Sequence, residues 1–129
     1  MNGRYLLDTN VVIALFAGDE NVANHLKDAN EIFVPSIVIG ELYYGAQKSE
    51  QVQANVQRID EFVGENVILV CDAETGKKYG EIKDRLRQKG RPIPENDIWI
   101  AALGMQYDLI LITRDGHFGE IEELKLETW

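Results

Sequence analysis

Four short runs dominate the chain: Arg4–Asp8, Glu31–Val34, Val67–Val70 and Leu109–Thr113. Each carries apolar residues at consecutive positions rather than at alternate ones. A strand covered on both faces reads this way, because neither side of the sheet meets water. Helical patterns fill the intervals. One runs to about Phe16, with Thr9 or Asn10 as its cap and Gly18 as its stop. A second covers Glu20–Ala29. Pro35 and Ser36 open a third, with Ser36 as N-cap, and Ser49 caps a fourth. The fourth places Val52, Val56, Ile59 and Val63 at steps of four, three and four. Asp72 caps a long basic helix buried along Ala73, Tyr79, Ile82 and Leu86, and Gly90 ends it. Asp97–Gln106 forms the next helix, a short turn lies near Phe118–Ile121, and Leu124–Leu126 is a last edge strand. Strands alternating with helices or helix pairs predict an α/β fold: a three-layer α/β/α sandwich with a central, mostly parallel sheet of four to five strands. Residues 1–129 fit a single domain, with no internal repeat, low-complexity segment or linker.

Composition narrows the function. The net charge of -9 argues against a protein that coats nucleic acid. The charge is uneven, however. Lys77–Arg91 holds seven basic and two acidic residues, a local +5 that leaves -14 elsewhere. A basic stripe beside an acidic site can serve RNA or DNA, and a solvated helix face gives the same pattern. The single cysteine, Cys71, has no partner for an internal disulfide and reads as a buried small hydrophobe. His25 and His117 are far apart, and no Cys/His spacing suggests zinc. Met1–Tyr5 runs directly into a strand, so no leader is expected, and no run is long enough to span a bilayer. A cytoplasmic protein is the natural expectation.

Four carboxylates stand next to these core segments. Asp8 ends the first strand, where open parallel sheets bind ligands; capping the next helix is the competing role. Asp115 follows DLILIT in the same way, although Asp-Gly is also a turn signal. Glu41 shares its helix face with Ile37, Val38 and Leu42, and a carboxylate buried there needs a cation, whether Lys, Arg or a metal; a rotated helix would instead leave it exposed. Asp97 opens the apolar helix continuing as IWIAALGM, where the helix dipole alone would favour an acid. Trp99 beside it reads as core, and Tyr43 and Tyr44 as packing residues. Taken together, the four acids make a site for a hard dication, Mg²⁺ or Mn²⁺, plausible.

The stretches LLDTNVVIALF, PSIVIGELYYGA, PENDIWIAALGM and LITRDGHF, taken in order, resemble the PIN-domain ribonucleases, and most closely the VapC toxins of toxin–antitoxin pairs. The resemblance implies a PIN fold and Mg²⁺- or Mn²⁺-dependent endonucleolytic cleavage of RNA by a water that the cation activates. It makes Asp8 and Asp97 the firmest metal ligands. Glu41 and Asp115 complete the pocket directly or through water, with Asn10 and Thr113 supporting it from behind. It further implies a VapB-like antitoxin and a homodimer. The basic residues Lys83, Arg85, Arg87, Lys89 and Arg91 are candidates to guide the RNA backbone.

Two other readings stay open on the residues. A non-catalytic PIN-like scaffold binding RNA or protein is one. The other is a phosphotransferase with Asp8 as nucleophile, whose usual pattern wants a second Asp where Asn10 stands.

Overall fold

A computed structural model describes residues 3–129. The expectation drawn from Met1–Tyr5 rests in part on residues 1 and 2, which lie outside that range. The elements are β1 (Arg4–Leu7), α1 (Thr9–Phe16), α2 (Glu20–Asp28), β2 (Glu31–Pro35), α3 (Ser36–Gln47), α4 (Val52–Glu65), β3 (Val67–Leu69), α5 (Ala73–Lys89), α6 (Glu95–Gln106), β4 (Ile110–Ile112), a 3₁₀ turn (Gly116–Glu120) and β5 (Leu126–Glu127).

The five strands form one sheet in the order β3-β2-β1-β4-β5, and every pairing is parallel. From β1 the chain steps outward through β2 to β3. It then crosses back to β4 on the other side of β1 and ends at β5. Right-handed crossovers therefore put α1 to α4 on one face and α5 and α6 on the other. Within the layers α1 meets α2 and α3, α3 meets α4, and α5 meets α6, while α3 also touches α6 across them. This is the expected three-layer sandwich. The outward and return paths part between β1 and β4, the topological switch point where such sheets hold ligands.

The core follows from the consecutive apolar runs. Leu6 and Leu7 of β1 and Leu111 and Ile112 of β4 are fully buried, as are Ile100 to Leu103 of α6. A β-carbon at Gly104 would come within 3.2 Å of Leu124 Cδ1, so the smallest residue lets α6 lie close to that loop. Leu111→Ala should cost about 3 kcal/mol, since it empties a central strand position with no room to collapse. A urea titration would show it as a lower midpoint at unchanged slope.

Several local expectations are corrected. Asp8, not Thr9 or Asn10, caps α1, through a bond from the Thr9 N–H. Ser36 is the first residue of α3, and Pro35 holds the cap position without a side-chain bond. The cap position of α4 is Gln51. Ser49 instead donates to the Ala46 carbonyl at 2.6 Å and accepts from the Asn55 amide at 2.9 Å, stitching α3 to α4. In α5 the Asp72 cap forms with a full capping box, but Ala73 is exposed. The buried residue of that first turn is Thr75, whose hydroxyl bonds the Gln106 side chain.

Cys71 is exposed rather than buried, because the chain leaves the sheet from the edge strand β3 just before it. Its thiol pKa is nevertheless raised, chiefly by desolvation and then by Asp72, which keeps it a poor nucleophile. Tyr44 is 65% exposed, so it is not a packing residue of this chain. Trp99 is half-buried and stacks on Tyr79 with ring centroids 4.0 Å apart. Among the described residues, no helix is long and apolar enough to cross a membrane.

Candidate metal centre and active site

Asp8 is buried, and its two oxygens are held by side chains and by the backbone of its own helix. Oδ1 accepts the Thr9 N–H at 2.8 Å. Oδ2 accepts the Thr113 hydroxyl at 2.7 Å and the Asn10 amide at 3.3 Å. The cap role and the ligand role are thus compatible, since the same carboxylate closes α1 and faces the switch point. Thr113 follows β4 and uses its whole hydrogen-bonding capacity. Its hydroxyl donates to Asp8 and accepts the Asp115 N–H at 3.0 Å and the Asn10 amide at 3.5 Å. The Asn10 side-chain oxygen in turn accepts the Arg114 N–H at 3.1 Å. The ends of β1 and β4 are therefore cross-linked behind Asp8.

Asp97 enters from the first turn of α6 and is only 15% exposed at its side chain. Asp115 follows β4 and caps the 3₁₀ turn by accepting the His117 N–H at 2.9 Å. The turn role and the site role again coexist. One ligand atom each from Asp97, Asp115 and His117 lie within 4.8 Å of one another. The His117 Nδ1 sits 3.0 Å from Asp115 and 3.5 Å from Asp97.

The electrostatics register this crowding. Burial, followed by the negative charges of Asp8 and Asp115, pushes the Asp97 pKa up from 3.8 to about 6, against a smaller lowering by His117. Burial also raises the Asp8 pKa; the bonds from Thr113 and Thr9 oppose it, and Glu41 and Asp115 add to it. A cluster that resists its own ionisation is short of positive charge. Carboxylate oxygens with one imidazole are donors that a divalent cation accepts, so the residues present fit a metal.

Glu41 departs from expectation. It is exposed rather than on the buried face of α3. The buried stripe is Val38, Leu42 and Ala46, at steps of four, and Glu41 lies on its flank. From there it reaches inward and accepts the Thr9 hydroxyl at 2.7 Å. Glu41 thus forms the rim of the site, and Asp8, Asp97 and Asp115 its floor.

A PIN domain family model matches residues 5–124. The chain belongs to the PIN-domain family. It is 36% identical to Ribonuclease VapC2 of Haemophilus influenzae, across 98% of each chain. It is 29% identical to the tRNA(fMet)-specific endonuclease VapC of Shigella flexneri, again across 98% of each. The fold superposes with a TM-score of 0.90 on the crystal structure of VapBC2 from Rickettsia felis bound to a DNA fragment from their promoter. That match is 33% identical and covers 97% of this chain and 98% of the other. Among PIN domains the chain therefore stands with the VapC ribonucleases, an enzyme group that is in general metal dependent.

Two features of this PIN domain escape a reading of the sequence. The distance between the two histidines argues against a joint metal site, yet His117 joins Asp97 and Asp115. Its position two residues after Asp115, in RDGHF, is the available signal. The basic stripe on α5 is also less free than it looks. Lys83 pairs with Glu95, Arg85 with Glu123, Arg87 with Asp84 and Lys89 with Glu120. Arg91, just past the helix, has no ion pair among the described residues.

Proposed function

We propose that this PIN domain, spanning residues 1–129 as one unit, is a Mg²⁺- or Mn²⁺-dependent endoribonuclease and the toxin of a VapBC-type pair. The observation that carries the reading is the convergence of four carboxylates from four separate elements on the switch point between β1 and β4. Asp8 and Asp97 would hold the cation, with Glu41 and Asp115 completing its surroundings directly or through water. When bound, the cation supplies Lewis acidity to the phosphodiester and lowers the pKa of water toward neutrality.

The chain's own groups supply the remaining requirements. Asn10 and Thr113 lock the orientation of Asp8, and in the metal-free protein the His117 Nδ1 lies between Asp97 and Asp115. Glu41, exposed on the rim, orients the attacking water from the open side. No Ser–His or Cys–His pair is required, because the nucleophile is water.

The partners follow from the same reading. Exposed Ile13 and half-buried Phe16 of α1 line an open hollow together with Glu41 of α3. An antitoxin segment with apolar residues and an arginine suits that hollow and the acids beside it. A homodimer and a cytoplasmic location, where RNA is available, complete the assignment.

Purified protein incubated with RNA and Mn²⁺ or Mg²⁺ should cleave it. EDTA should stop the reaction, and excess Mg²⁺ should restore it. Cleavage that continues in EDTA would sink the metal assignment. RNA binding without cleavage under any divalent ion would favour a scaffold role.

A further inference from the structure

An open hollow of about 520 Å³ lies against the acid cluster, and its lining includes Arg91, Pro92, Asp115, His117 and Glu120, the last paired with Lys89 at 3.6 Å. Two of its walls, Asp115 and His117, also belong to the cluster. Gly90, with φ +67, ends α5 in the left-handed conformation and turns the chain off the helix axis. The Arg91 N–H then bonds the Leu86 carbonyl at 3.0 Å, which fixes that turn. The consequence is that Arg91 leaves the stripe to which its sequence neighbours belong and faces the hollow, while Lys83, Arg85, Arg87 and Lys89 stay on α5, each beside an acid.

A polyanion approaching a chain of charge -9 meets repulsion almost everywhere. A phosphate resting next to Asp115 needs a local cation that is not already neutralised. A guanidinium suits this role, because its planar fork binds two phosphate oxygens at once. We infer that the hollow is a subsite for an RNA backbone phosphate flanking the scissile bond and that Arg91 is its anchor, whereas the α5 stripe does not carry the strand. The inference rests on the endoribonuclease reading.

Arg91 is exposed, and its structural bond uses only the backbone, so Arg91→Ala leaves the fold intact. Cleavage kinetics on a single-stranded RNA should show KM raised about tenfold with kcat within about threefold, the pattern of a residue that positions substrate. RNA binding measured in the Asp8→Asn background, where the strand stays intact, gives the second readout. Loss of one phosphate contact should lower the slope of log K against log salt by about 0.7. Arg91→Lys should recover most of that slope, and Arg87→Ala should leave it unchanged.

Unchanged KM and slope in Arg91→Ala would overturn the proposal, as would an equal loss of slope in Arg87→Ala. A wild-type protein that cleaves no RNA would defeat the endoribonuclease reading itself. Wild-type cleavage with an indifferent Arg91→Ala would defeat only the subsite.

Discussion

Asp97→Asn should cut RNA cleavage by about a thousandfold and at the same time make the metal-free protein more stable at about pH 7.5. The two effects have one origin. The Asp97 carboxyl is shifted from 3.8 to about 6 by burial and by Asp8 and Asp115. A folded-state pKa above the unfolded one means that the folded protein binds the proton more tightly. The resulting stabilisation is fully present below about pH 4 and is lost as the pH rises through about 6. At neutral pH the metal-free fold therefore carries the strain of ionising Asp97. The shift corresponds to about 2 kcal/mol after allowance for partial solvent contact, and the neutral amide removes that strain. Thermal unfolding in EDTA should show the Asp97→Asn variant melting about 5 °C above wild type. Added Mn²⁺ should reverse the order, because wild type gains ligand stabilisation that the variant lacks. A variant that melts below wild type in EDTA, or that cleaves RNA at the wild-type rate, would remove Asp97 from the proposed site.

Thr113→Val tests the cross-link between the strand ends. The substitution preserves shape and deletes one hydroxyl that serves Asp8, Asp115 and Asn10 together. Three groups then lose a bond: Asp8 Oδ2 keeps only the Asn10 amide, the Asn10 amide keeps only Asp8, and the Asp115 N–H is left without a partner. Stability should fall by about 2 kcal/mol. Cleavage should fall about a hundredfold, because both carboxylates lose their fixed orientation. Thr113→Ser restores the hydroxyl and should recover most of the activity. If valine and serine behave alike, Thr113 acts only through packing, and the hydrogen-bond account of the site is wrong.

Much of this architecture is legible in the chain. Consecutive apolar residues in Arg4–Asp8 and Leu109–Thr113 mark strands buried on both faces, and the alternation with helices marks a parallel sheet. Asp8 and Asp115 stand out because each ends such a strand. The competing readings, helix cap for Asp8 and turn for Asp115, prove compatible with a place in the site, since one carboxylate has lone pairs for both tasks. For Glu41 the sequence points to the site but to the wrong face of α3. A helical face read from a few neighbours carries a rotational error of one position, and the stripe of Val38, Leu42 and Ala46 settles it. The exposure of Cys71 is not legible, because sequence alone does not tell an edge strand from a central one.

The sequence by itself determined the strand and helix order, the identity of the four acids and the charge imbalance between the α5 stripe and the rest. These are local properties: hydrophobic period, residue type and count. The tertiary structure decided the strand order, and with it the switch point that brings β1 against β4. It placed His117 on Asp97 and Asp115, and it tied Lys83, Arg85, Arg87 and Lys89 to acids while leaving Arg91 on the hollow. Each of those outcomes depends on which distant residues become neighbours. That is fixed by packing the two helical layers on the sheet, and no spacing within the chain encodes it.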